Sequence, residues 1–454
     1  MNNTLLAFFV FWGIWVVVPM LIDGSTALVL FFGVLWARWT GRLHLQTRAL
    51  DFYPRVSIII PVLNGERTLG GCLASIQAQT YPLTHLEIVV VDNGSTDKTF
   101  DIVQRYQLET FSGQLHWISV PFRGKPWALN TGIHLTTGQY VINIDADVVL
   151  QRDAVRQMVM AFETNPDISA ATGSVEVLPA EAHEGRMTYL IAECEFQEYL
   201  SAFWMGRQYQ SLTNGLYTLA GAFSAFRRET LLQTFLYDKL TVSEDTKLTL
   251  DIYERIKGAQ VVCIAQAIAY VTPTPSVSAL YAQRVRWQRG MLEVIALRAN
   301  RLKFDIWRVR GLSLTRLMLI DHTLIFPRLI WTFLFPAMAA FGYPLSLVLS
   351  ATLFMYVFYL GIAALMAFTL YLVVDPLKRA RLRANWWITF LMPAYRFAIF
   401  VFRLAGSITA LAEPAEWRVV DPVTATKRAG QQLSQQAMQA WNDFRSQRSV
   451  SGRQ

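Results

Sequence analysis

Charge is scarce in this chain. Of its 454 residues only 16% are Asp, Glu, Lys or Arg while 53% are hydrophobic, against roughly a quarter charged in an ordinary soluble protein. That balance argues against a wholly soluble protein. An aromatic content of 13% with a net charge of only +8 excludes disorder. Cysteine is scarce too: Cys72, Cys194 and Cys263 are odd in number and far apart. They give neither a disulfide framework nor metal-ligand spacing, and they suit a reducing compartment. Two phosphate-binding signatures are missing: no G-x-G-x-x-G follows a strand pattern, and no G-x-x-x-x-G-K-[ST] occurs. Dinucleotide and P-loop sites are thereby set aside.

Apolar sequence is plentiful and unevenly spread. Leu5–Ile22 carries no ionisable residue and is long enough for one span, with Pro19 a candidate kink. Asp23-Gly24 then interrupts, and Ala27–Ala37 is too short to cross alone, so the N-terminus reads as one kinked anchor or a hairpin. Met1–Thr4 offers no base for a cleavable signal peptide. Leu329–Val374 contains no Asp, Glu, Lys or Arg. As one helix it would run roughly 69 Å, about twice the hydrocarbon core, so Gly342-Tyr343-Pro344 predicts the turn of a membrane hairpin. Ala384–Ala412 carries Arg396 and Arg403 on one helical face, which favours an interfacial helix over one lining a polar path.

Basic residues flank these segments: Arg38, Arg42 and Arg48, then Arg301, Lys303, Arg308, Arg310 and Arg316, then Lys378, Arg379, Arg381 and Arg383. All three clusters are expected on the cytoplasmic side. The organisation that follows is an N-terminal membrane anchor (1–50), a cytosolic domain (51–300), interfacial helices with a transmembrane hairpin (301–416), and a polar, Gln-rich tail (417–454). The membrane flanks account for the basic balance, so the expected partner is a lipid bilayer and no nucleic acid.

Within 51–300, Val56–Pro61 and Glu87–Asp92 are continuous β-branched runs of the kind buried on both faces of a sheet. His116–Val120 and Gln139–Asp145 predict further strands. Helices are expected over Glu66–Gln79, after a turn at Asn93–Asp97 with a cap at Thr96 or Asp97, over Lys125–Leu135 and over Thr246–Ile256. The alternation predicts an α/β domain with a mostly parallel sheet, whose ligands sit beyond the carboxyl ends of the strands. Asp92 and the pair Asp145/Asp147 fall at such ends. In Asp145-Ala146-Asp147 alternate residues of an extended segment point the same way. Two carboxylates without His or Cys suit Mg²⁺ or Mn²⁺ held jointly with substrate phosphates. A D-x-D is also common as a solvated turn, and Asp92 also fits a capping role.

The order of motifs resembles that of the processive, membrane-embedded family 2 glycosyltransferases, the group of cellulose, hyaluronan and poly-N-acetylglucosamine synthases. The matching pieces are SIIIPVLNGE (Ser57–Glu66), VVVDNGSTD (Val89–Asp97), GKPWALNTG (Gly124–Gly132), DAD (Asp145–Asp147), LAGAFSAFRRE (Leu219–Glu229), SED (Ser243–Asp245) and QRVRW (Gln283–Trp287). The chain is also similar to a bacterial subgroup of extracellular-polysaccharide glycosyltransferases associated with exosortase systems.

The resemblance implies a GT-A, Rossmann-like domain that takes a UDP-sugar donor, uses Mg²⁺ or Mn²⁺, and extends a growing glycan with inversion and coupled export. It places Pro61, Asn64, Glu66 and Asp92 at the uridine, Lys125 at phosphate, Asp145 and Asp147 on the metal, and Asp245, with Glu244 beside it, as catalytic base. It places Gln283, Arg284, Arg286 and Trp287 at the diphosphate and acceptor sugar. Leu63 stands where the family usually has an aromatic, and SED replaces the commoner TED. Other readings keep a place: single-sugar transfer to a lipid phosphate, or a non-catalytic scaffold subunit of a secretion complex; an accessory subunit is a further expected partner. Arg284 and Arg286 also fit lipid-headgroup contact, Trp287 an interfacial anchor, and Glu244/Asp245 a helix N-terminus.

Overall fold

The computed structural model describes residues 20–43, 47–109, 113–180, 185–239, 241–297, 334–412, 424, 426–435 and 438–439. The chain divides into two compact units, one of residues 1–239, 244–274 and 303–395, the other of residues 240–243, 275–302 and 396–454.

In the first unit, β1 (Val56–Val62), β2 (Leu86–Asp92), β3 (Gln114–Ser119), β4 (Tyr140–Ile144), β5 (Val149–Leu150), β6 (Ile168–Val177), β7 (Phe223–Arg227) and β8 (Gln260–Val271) form one sheet. Its order is β3-β2-β1-β4-β7-β6-β8-β5. The half from β3 to β4 is parallel throughout. β7 enters antiparallel between β4 and β6, β5 caps the edge antiparallel to β8, and β6 and β8 are parallel. The expected α/β sheet is therefore a mixed one.

Every residue of β1 and β2 is buried, because alternate side chains enter two different cores. Ile58, Ile60 and Val90 pack with Leu69, Leu73, Met158 and Phe162 on one face. Ile59, Val89 and Val91 pack with Leu129, Ile133, Leu248 and Ile252 on the other. Two polar residues in these strands are satisfied together. The Ser57 hydroxyl donates to Glu87 Oε2 at 2.7 Å, and the Thr137 N–H donates to the same oxygen at 2.9 Å.

The helix at Lys125–Leu135 runs as expected, whereas the one expected at Glu66 starts only at Leu69. Local side-chain bonds win over helix there. Asn64, at φ 54°, takes the Thr96 N–H on Oδ1 at 2.9 Å, and the Glu66 N–H donates to Asp97 Oδ2 at 3.0 Å. The loops after β1 and β2 are thus laced together.

Most of the span expected over Leu5–Ile22 lies outside the described residues. At Asp23-Gly24 the chain stays helical, which matches the kinked-anchor alternative over these residues. A π-helical turn, Met20–Gly24, runs straight into the helix Ser25–Trp39. Asp23 is tolerated in this apolar stretch because Tyr359 of a neighbouring helix donates its hydroxyl to Asp23 Oδ2 at 2.8 Å. The hairpin turn is present: 334–340 is helical and Leu345–Val373 follows Gly342 and Pro344. A short helix, Pro376–Ala384, and a long one, Ile388–Ala412, complete the region. Among the described residues, Met20–Trp39, Leu345–Val373 and Ile388–Leu411 are long and apolar enough to cross a membrane. The last is the segment whose two arginines favour the interface.

In the second unit the helix Val277–Ala296 is capped by Ser276, whose hydroxyl accepts the Ala279 N–H. Arg403 donates Nε–H to Gln288 Oε1 at 2.8 Å, so one of the two arginines in the apolar helix is paired with a polar group. A Cβ at Gly406 would lie 2.7 Å from the Val285 carbonyl oxygen, so glycine lets these two helices approach.

Candidate active site

The carboxyl ends of β2 and β4, with the segment before β7, gather a compact charged cluster in the first unit. Lys125 begins its helix because Gly124, at φ +136°, turns the chain in a conformation that only glycine adopts readily. The Gly124 N–H is held by Asn93 Oδ1 at 2.9 Å. The ammonium of Lys125 pairs with Asp145 Oδ1 and lies 3.8 Å from Glu244 Oε1. It also approaches the Gly221 carbonyl oxygen at 3.5 Å. Gly221 donates its own N–H to Asp245 Oδ2 at 3.2 Å, and Thr246 donates to Asp245 Oδ1 at 2.6 Å. A single glycine thus touches both the cation and the proposed base. It lies inside the LAGAFSAFRRE stretch, but sequence reasoning did not single it out. A glycine just ahead of a strand was the available signal.

Electrostatics separates the acids. Burial pushes Glu244 up to about 7, with Asp245 acting in the same sense and Lys125 opposing. Burial also raises Asp245, against the pull of Lys125, the Thr246 N–H, the buried Arg207 and the Gly221 N–H. Lys125 is disfavoured as a cation by burial. The surrounding carboxylates of Asp145, Glu244 and Asp245 outweigh that and hold it above the ordinary lysine range.

Asp145 and Asp147 lie in the turn after β4, the second of them exposed. No group of three or more His, Cys, Asp or Glu gathers among the described residues, which excludes an all-protein metal cage there. Two carboxylate oxygens do fit a hard divalent ion, which commonly binds one or two carboxylates together with substrate phosphates.

The remaining expected residues divide. Pro61 is buried within β1 opposite Val91. Asp92 is 6% exposed, and its oxygens accept the Ser95 N–H at 2.9 Å and the Ser119 hydroxyl at 3.2 Å. One oxygen therefore holds the turn and the other ties it to the end of β3. Asn64 and Glu66 belong to the laced loop described above and are exposed. Close to Lys125 in sequence, the exposed Phe122 stacks on Trp127 at 4.8 Å, with the Lys239 ammonium 3.0 Å from the Trp127 ring centre. These aromatics were also missed.

Gln283, Arg284, Arg286 and Trp287 lie on Val277–Ala296 in the second unit. Arg284 is buried, its guanidinium 4.5 Å from the Trp287 ring, while Arg286 is exposed. Residues two apart on a helix leave it from different faces.

Residues 57–235 match the profile of Glycosyl transferase family 2. Poly-beta-1,6-N-acetyl-D-glucosamine synthase of Staphylococcus epidermidis is 26% identical over 241 residues, 53% of this chain and 55% of that protein. The enzyme of the same name from Staphylococcus aureus (strain COL) is 24% identical over 246 residues, 54% of this chain and 57% of that one. The matched region thus spans little more than half the length of these relatives. Among solved structures, the mannosyltransferase PcManGT from Pyrobaculum calidifontis, in complex with GDP-Man and Mn²⁺, superimposes with a TM-score of 0.53 at 22% identity, over 84% of this chain and 97% of that one. The fold is GT-A-like, and residues 57–235 form a domain that matches the family 2 glycosyltransferase profile.

Proposed function

We propose that the chain transfers a sugar from a UDP-sugar to a growing polysaccharide, with inversion, at the cytoplasmic face of a cell membrane, with export of the product through the membrane helices. The observation that carries this is the convergence of Lys125, Asp145, Glu244 and Asp245 around Gly221 at the carboxyl ends of the parallel strands. Asp245 is the base. It is half-buried beside a cation, and two backbone N–H groups hold its carboxylate in one orientation, so it is placed to take the proton of an acceptor hydroxyl as that oxygen attacks the anomeric carbon. UDP departs from the opposite face.

Asp145 and Asp147 would hold Mg²⁺ or Mn²⁺, which supplies positive charge to the donor diphosphate. Lys125 adds to that charge and, on meeting phosphate, releases Asp145 from its ion pair. The loops bearing Asn64, Glu66 and Asp92 shape the uridine end, with Asp92 holding the turn. Gln283, Arg286 and Trp287 are assigned to diphosphate and acceptor from the Q-x-x-R-W pattern, with Arg284 supporting the Trp287 ring. The converging acids favour an enzyme over a non-catalytic scaffold subunit of a secretion complex.

The test is incubation of membranes containing the full chain with a panel of UDP-sugars, reading UDP release and product length together. Polymer from one donor supports the reading. A single-sugar lipid, or no UDP release from any donor, defeats it.

A further inference from the structure

The four basic residues of the helix Pro376–Ala384 divide by face. Lys378 lies 3.0 Å from Glu176 Oε1 and also pairs with Asp375; Arg381 Nη2 lies 2.8 Å from Glu193 Oε1. These two charges are spent on the catalytic domain. Arg379 and Arg383, four residues apart, share another face. Arg379 donates to the Val374 carbonyl oxygen at 3.2 Å and lies 5.4 Å from the Tyr371 ring. Arg383 is exposed and makes no ion pair among the described residues.

Next to this face is a cleft of about 290 Å³ lined by Ala367, Phe368 and Tyr371 of the helix Leu345–Val373, by Arg383 and Trp386, and by Gln197 of the helix Arg186–Tyr199. Gln197 is only 6% exposed, yet its side-chain amide makes no hydrogen bond among the described residues. Its amide lines the cleft, where an acceptor oxygen would give it a partner. The walls call for an apolar chain: Phe368 is 53% and Trp386 63% exposed, and tryptophan favours the boundary between hydrocarbon and headgroups.

We propose that this cleft binds the phosphodiester headgroup of an anionic phospholipid. Gln197 donates to an oxygen of the headgroup, Arg383 and Arg379 balance its charge, and an acyl chain lies against Ala367 and Phe368. The anionic charge answers two arginines that no described carboxylate pairs with, and the apolar wall lies on a helix long enough to span a bilayer. The site lies apart from the charged cluster around Gly221. It rests on the membrane placement given under the proposed function.

The experiment uses the full chain reconstituted in nanodiscs of phosphatidylcholine with and without phosphatidylglycerol, followed by mild delipidation and mass spectrometry of the lipid retained. The wild type should retain phosphatidylglycerol in preference. Arg383→Gln and Gln197→Leu should each lower that preference about fivefold, while donor turnover in phosphatidylcholine discs stays at the wild-type level. Equal retention of the two lipids overturns the proposal, as does an unchanged preference in Arg383→Gln or displacement of the lipid by inorganic phosphate alone. A chain that never enters the discs defeats the membrane reading along with this one. A chain that enters without headgroup preference defeats this one only.

Discussion

A Cβ at position 221 would sit 3.2 Å from the Lys125 ammonium and 3.3 Å from Asp245 Oδ2, tighter than either group tolerates without moving. Gly221→Ala should therefore keep the fold and lower sugar transfer by about ten- to a hundredfold, because small displacements of a base are expensive in rate. UDP release alongside a thermal melt reads both. The acids separate by role. Asp245→Asn should cut transfer by about 10²–10⁴-fold, the range of a lost general base, while UDP is still retained in the presence of Mn²⁺. Asp147→Asn should lose both transfer and metal-dependent UDP retention. If both variants polymerise at the wild-type rate, the site is elsewhere.

Glu244 makes a pH prediction. Its carboxyl is raised from an ordinary 4.5 to about 7 by burial, so the folded state binds its proton more tightly than the unfolded chain. Ionisation is then a cost to stability that is absent below pH 4.5 and complete above about 7. Glu244→Gln, which stays neutral, should match the wild type at pH 4.5 and exceed it above pH 7, by on the order of 1–3 kcal/mol. Denaturant unfolding across that range checks it; a stability gap that does not change with pH refutes the assignment.

Between elements, buried acids meet donors from distant parts of the chain. The helix Arg186–Tyr199 presents three acids, and each meets a partner elsewhere. Glu193 takes Arg381 and the Asn385 amide, Glu195 takes the Thr274 N–H and hydroxyl, and Glu198 takes the Tyr395 hydroxyl. The Arg381 guanidinium also lies 3.8 Å from the Phe196 ring and donates to the Val177 carbonyl oxygen at 2.7 Å. Arg381→Gln leaves Glu193, 3% exposed, as a buried carboxylate without its counter-charge. It should cost roughly 3–5 kcal/mol, seen as a large drop in melting temperature in detergent. None of these pairings had a sequence signal, because acids scattered along a helix read locally as a solvated face. The helix Lys125–Leu135, by contrast, was legible to the residue, since a glycine and a proline mark its start. The late start of Leu69–Gln77 was not, because it depends on bonds to a loop that follows the next strand.

Across the whole molecule all three cysteines are buried and free. Burial raises each thiol, Cys194 and Cys263 to about 12 and Cys72 further still. Native protein should therefore resist maleimide at neutral pH and take up three equivalents only on unfolding, as mass spectrometry would show. Labelling of the native state at any of the three positions would mean that the core around it opens.

The strands, the acids at their ends and the apolar helices were readable in the sequence because each is a local consequence of side-chain chemistry. A β-branched run has to bury both faces, and a long uncharged segment avoids water. The D-x-D, expected to be extended, is instead a turn closed by the Val148 N–H donating to the Asp145 carbonyl oxygen at 3.1 Å. What tertiary structure alone decided is which distant groups meet: Gly221 with Lys125 and Asp245, Asp23 with Tyr359, β7 running antiparallel between β4 and β6. Sheet order and helix packing set those meetings, and they arise from the summed burial of the whole chain. No local period carries that information.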